Sequence, residues 1–126
     1  MGTATAASGG RALSEVELVD GYPVDRATRP ADAGVILRQI GGNALADLGA
    51  RNFLSIGDGL QMQVGHGSLL RKVLVKLAAD DTYIVQAVKF NRRTFAMTWT
   101  YDITDVYSEA LAQVVRVAAQ TVGVAA

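Results

Sequence analysis

The sequence predicts an α+β domain: a helix, an antiparallel meander of three to five strands, and a C-terminal helix, with both helices packed on one sheet face. Three observations carry this. Residues 59–102 alternate apolar and polar side chains over successive short segments, the period of two that marks half-buried strands. Residues 32–49 instead repeat Ile36, Ile40, Ala44 and Leu48 at every fourth position, which is one face of a helix. The breaks between the alternating segments are short and rich in Gly, Asp and Asn, so the strands connect as hairpins.

Taken in order, residues 1–30 read as an extended, mobile N-terminal arm and residues 31–126 as the folded domain. Within the arm, Val16 and Leu18 suggest a short edge strand, and Tyr22-Pro23 and Arg29-Pro30 steer the chain away from helix. Asp32 is the expected N-cap of the first helix, Gly41-Gly42 its point of kinking or close packing, and Gly49 its stop. Strands are expected near residues 53–56, 60–64, 71–77, 82–90 and 94–101. Asp80-Asp81 and Asn91-Arg92-Arg93 supply turns between them. The second helix is expected from about Thr104, capped by Asp102 or Thr104 and ended by Gly123, with Val106, Tyr107, Leu111, Val114 and Ala118 on its apolar stripe.

Composition narrows the function. The 126 residues suffice for one core, and half of them are hydrophobic, enough for a folded state. Twelve Lys+Arg balance twelve Asp+Glu, without the basic excess of nucleic-acid or membrane-surface proteins. There is no cysteine, which removes disulfides and thiolate chemistry and fits a reducing compartment. No stretch reaches the roughly 20 apolar residues of a membrane span, and the first ten residues lack the pattern of a secretory signal. A cytoplasmic location is the expectation, with no membrane partner.

Candidate chemistry is sparse. His66, the single histidine, lies between glycines with Ser68 nearby. A hydrolase built on the two lacks the nucleophile-elbow pattern, and a lone imidazole gives a metal too few ligands. Asp80-Asp81 could hold a cation, but between strands aspartate ordinarily forms the turn. No phosphate loop or calcium loop is present, so neither cofactor nor metal is expected. Arg71, Lys72, Lys76, Lys89, Arg92 and Arg93 concentrate in the sheet region while most acidic residues lie outside it. These six are the candidate nucleic-acid contacts, with phosphate within reach of the Arg92-Arg93 tip. Solubilising an open polar face is the more ordinary role for such cations. Phe95, Met97, Trp99 and Tyr101 share one parity and are expected in the core rather than on a base-stacking face.

The run Ile36-Leu37-Arg38-Gln39-Ile40-Gly41-Gly42, followed by Leu48-Gly49-Ala50-Arg51-Asn52-Phe53, resembles the opening of small uncharacterised proteins of tailed phages and prophages. Asp81-Thr82-Tyr83, Val106-Tyr107, Leu111 and Thr121-Val122-Gly123 continue the resemblance to the end of the domain, while residues 88–94 depart from the pattern. The resemblance implies a mobile-element protein and transfers no functional residue. With no catalytic constellation in the sequence, the expectation is a non-catalytic protein that binds a protein partner or itself through a strand edge or the terminal helix. Nucleic-acid binding through the basic sheet is the alternative.

Overall fold

The computed structural model describes residues 5–6, 9–10, 18–19, 22–23, 26–65, 70–90, 93–94 and 96–124. Two minimal hairpins come first: β1 (Thr5–Ala6) with β2 (Gly9–Gly10), and β3 (Leu18–Val19) with β4 (Tyr22–Pro23). The β3–β4 hairpin lies against the last strand of the main sheet. Two short helices follow, α1 (Ala33–Ile40) and α2 (Gly42–Asp47). The main sheet is an antiparallel meander of five strands in sequential order: β5 (Arg51–Ser55), β6 (Gly59–Val64), β7 (Leu70–Leu77), β8 (Tyr83–Phe90) and β9 (Met97–Val106). A 3-10 turn at Ser108–Ala110 leads into α3 (Leu111–Val124). The α+β architecture and the placement of the helices against one sheet face follow the sequence expectation.

The core lies between that face and the helices. Leu60, Met62 and Val64 of β6, Val73 and Val75 of β7, Val85 and Ala87 of β8, and Tyr101 and Ile103 of β9 are buried there. They meet Ile36, Ile40 and Ala44 from the first helices and Leu111, Val114, Val115 and Ala118 from α3. Burial pushes the Tyr101 phenol up to about 12, so this ring acts as neutral packing.

Several boundaries differ from the sequence reading. The helix over residues 32–49 is broken at Gly41, whose φ of 90° and ψ of 148° suit glycine alone. Asp32 does cap α1, accepting the Gly34 N–H at 2.8 Å, and Gly49 takes the left-handed conformation after α2. At the other end, β9 runs on to Val106. Asp102 and Thr104 are strand residues and cap nothing, Tyr107 is 60% exposed, and α3 continues through Gly123.

The sheet also has no open polar face at its centre. Leu74, Ile84, Gln86, Val88 and Asp102, on the side away from the helices, are buried as well. Part of that cover is the segment ahead of α1. Thr28 bridges to Ala78, Arg29 N–H donates to the Leu77 carbonyl and Ala31 N–H to the Gly57 carbonyl. Residues 26–31 thus lie as an extended strap across the ends of β7 and the β5–β6 turn.

Bulges set which side chains share a face. Ala87 pairs with Tyr101 but Val88 with Trp99, so β9 carries one extra residue at Thr100. The bulge sends Trp99 to the side of Val88 and away from the helices. The shared parity of Trp99 and Tyr101 expected from alternation is therefore broken. A second bulge accompanies Asp105 (φ 59°), and a third, on β5, accompanies Asn52 (φ 54°).

Candidate functional site

The sheet ends in two edges of different character. β9, one terminal strand, has the β3–β4 hairpin in contact with it. β5 is the other terminal strand and, among the described residues, pairs with β6 alone. Asn52, Phe53, Leu54 and Ser55 are all exposed, with Phe53 at 44% and Leu54 at 55%. Together with Tyr107 they are the exposed large hydrophobic residues among those described. Sequence reasoning anticipated a free strand edge without saying which strand supplied it. An adjacent Phe and Leu ordinarily signal core, and only the strand order puts them at the rim.

Local geometry holds β5 in place. Ile56 N–H donates to the Gly59 carbonyl at 3.0 Å, closing the tight turn at Gly57-Asp58. Gly59 is required there, since a Cβ would come within 1.9 Å of the Val75 carbonyl oxygen on the neighbouring strand. Asn52 reaches Gln63 through its side-chain amide at 2.6 Å. Arg51 donates to the Gly49 and Gly65 carbonyls at 2.9 and 2.7 Å, which tethers the strand's start to the β6–β7 connection.

The sheet is polarised along its strands. Arg71 stands opposite Lys89 in the β7–β8 ladder, and Lys72 opposite Val88. Both pairs lie at the end that also carries Arg51 and the β8–β9 connection with Arg93. Of the six cations singled out in the sequence, Arg71, Lys72, Lys89 and Arg93 gather at this end. Lys76 stands apart, opposite Gly59 and Ile84 towards the other end of the strands. The register puts Lys72 on one side of the sheet and Arg71 and Lys89 on the other. The cations therefore make a basic rim rather than a basic face. Arg92, His66 and Ser68 lie outside the described residues.

The opposite end carries Asp58, Asp80 and Asp81 together with Lys76 and Arg29. Asp58 sits in the β5–β6 turn and accepts the Thr28 hydroxyl at 2.9 Å. Asp80 and Asp81 occupy the β7–β8 turn, where Asp80 accepts both the hydroxyl and the N–H of Thr82 at 2.6 and 3.1 Å. The Thr82 hydroxyl, and secondarily its N–H, hold the Asp80 carboxyl below the usual carboxylate value. Asp81, with φ 71°, pairs with Arg29. This is the turn role that the sequence favoured for the aspartate pair. Among the described residues, no three His, Cys, Asp or Glu side chains gather where a metal ion could be held.

A buried ion pair joins the strap to the sheet. Arg26 Nη1 lies 2.9 Å from Asp102 Oδ2, with the Arg26 side chain 22% exposed and that of Asp102 fully buried. Gln86 Nε2 donates to the other carboxylate oxygen at 3.2 Å. Gln86 Oε1 is buried without a hydrogen-bond partner among the described residues. Beside this pair an open cavity of about 330 Å³ is lined by Arg26, Asp80, Thr82, Ile84, Thr104 and Asp105, among others. Nothing in the sequence linked Arg26 to Asp102. The unbroken apolar run Val73-Leu74-Val75, and four apolar residues of five in Ile84-Val85-Gln86-Ala87-Val88, were the available sign that both sides of the sheet are covered.

No helix among the described residues is long and apolar enough to cross a membrane. No protein-family model, no curated protein and no solved structure matches this chain.

Proposed function

We propose that this chain is a non-catalytic interaction protein that receives an extended segment of a protein partner on the free edge of β5. The observation that carries the reading is the edge itself, a terminal strand with Phe53 and Leu54 exposed side by side. An unpaired strand edge offers a row of backbone donors and acceptors to an incoming strand. Flanking apolar side chains add contact area. Folded proteins usually blunt such edges or use them, and here β9 has the β3–β4 hairpin against it while β5 carries exposed Phe53 and Leu54. The phage-like motifs of the sequence support a mobile-element origin, and the absence of cysteine supports a cytoplasmic setting.

Selection of displayed random peptides against the protein tests this. Extended apolar peptides should be recovered, and their binding should disappear with Ser55→Pro, which removes an edge N–H at an exposed position. Peptides that bind the variant equally well would refute the edge as the docking site.

A second reading rests on a separate observation, the gathering of Arg51, Arg71, Lys72, Lys89 and Arg93 at one end of the sheet. A rim of this kind suits phosphate contacts, which position nucleic acid without reading its sequence. It predicts single- or double-stranded DNA or RNA binding that weakens with salt and is lost with Lys72→Glu and Lys89→Glu together. Fluorescence polarisation at low and physiological ionic strength decides it, and no binding at low salt would leave the rim a solubility feature.

A further inference from the structure

We infer that the partner on the β5 edge is a second copy of this chain, joined antiparallel about a two-fold axis at Leu54 to make one continuous ten-stranded sheet. The inference rests on the edge-binding reading above and names its occupant. The first argument is hydrogen-bond phase. Ile56 donates to Gly59 across the β5–β6 turn, and Leu54 stands opposite Gln61 and Ser55 opposite Leu60. In an antiparallel ladder the peptide groups of alternate residues turn to opposite sides. Ile56 and Leu54 therefore address β6 and Ser55 addresses the free side, while Phe53, in the bulge between Arg51 and Leu54, has no partner in the β5–β6 register. A copy that satisfies these outward groups pairs Ser55 with Phe53 of its mate, and Phe53 with Ser55. Leu54 then faces its own equivalent as a non-hydrogen-bonded pair, the closer of the two antiparallel pair types. That position holds the more exposed of the two edge hydrophobics, at 55%.

The second argument is charge. In this register the start of β5, with Arg51, lies beside the mate's β5–β6 turn, with Asp58, and the contact occurs twice by symmetry. Arg51 donates to two neutral carbonyls and Asp58 accepts from a neutral hydroxyl, so neither charge is compensated by those bonds. Parallel pairing would instead set the Arg51 ends together and the Asp58 ends together. Like charges directly opposed are unfavourable in a ladder, so the placement of Arg51 and Asp58 at opposite ends of β5 favours the antiparallel mate.

Sedimentation equilibrium of the full chain over a wide concentration range tests the inference. The expected mass is twice 13.3 kDa, falling to 13.3 kDa with either Leu54→Lys or Ser55→Pro, while circular dichroism shows both variants folded. Arg51→Glu alone should weaken the dimer, and adding Asp58→Lys should restore it. A wild-type chain that is monomeric at every concentration overturns the second copy as partner and leaves the edge for another protein. A dimer that persists in both edge variants overturns the edge reading itself. A dimer lost in the edge variants but not recovered by the charge exchange overturns the antiparallel register.

Discussion

Asp80 and Asp102 show how far one residue type diverges with its surroundings. Asp80 turns the chain, exposed, with its carboxylate held by the hydroxyl and the N–H of Thr82. Those bonds favour the charged form and lower its folded pKa beneath the usual 3.8. The stability it contributes is therefore present above that value and is lost as pH falls through the lower, folded one. Replacing Asp80 with Asn should lower the urea midpoint at neutral pH and flatten its decline below pH 3.8, by a small amount because the site is open to solvent. A wild-type and variant that decline in parallel would remove Asp80 from the acid response. The turn role was legible in the sequence because it needs only neighbours two residues apart. The role of Asp102 was not, since its partner Arg26 is 76 positions away and a polar residue ahead of a helical stripe reads as a cap.

Among the elements, the meander was the most legible, since each strand pairs with its sequence neighbour and alternation fixes which face is inward. The helix limits were less so. The stripe of α3 begins in phase with the end of β9, and periodicity alone could not tell the last strand residues from a first helical turn. The bulge at Thr100 hid in the same way: alternation of Phe95, Met97, Trp99 and Tyr101 is continuous in the sequence, and only the pairing with Val88 shows that the phase slips. At the helix pair the two glycines have separate duties. Gly41 holds a φ of 90° that L-residues avoid, although nothing lies within 4 Å of where its Cβ would be. Gly42 has the same open space and is the first residue of α2, with no such dihedral demand. Gly41→Ala should therefore cost about 1–3 kcal/mol from backbone strain alone. Gly42→Ala should stabilise by about 0.4–1 kcal/mol by reducing the freedom of the unfolded chain. Urea unfolding of the two variants checks this, and equal effects would show that Gly41 does not enforce the break.

For the whole molecule, the strap and sheet are fastened by one buried carboxylate and its guanidinium. Removing the cation leaves the fully buried Asp102 carboxyl without its ionic partner, a loss of about 3–5 kcal/mol for sites of this kind. The partial exposure of Arg26 puts Arg26→Met towards the lower figure. Changing Asp102→Leu in the same chain should recover most of it, because an apolar pair of similar size carries no desolvation cost. Chemical denaturation of the single and double variants measures both, and a double variant no more stable than the single would show that the pair is needed for its geometry rather than for neutralisation.

The same fastening bears on the order of events when the chain folds. Each sheet strand finds its mate across a short connection, which closes quickly and at small entropic cost. The strap is the exception, because Arg26 is made 76 residues before the Asp102 it pairs with. Until β7 and β9 exist, residues 26–31 have no surface to lie on. The first of these segments to be made is thus the last to find its place, and part of the sheet's second side stays uncovered until then.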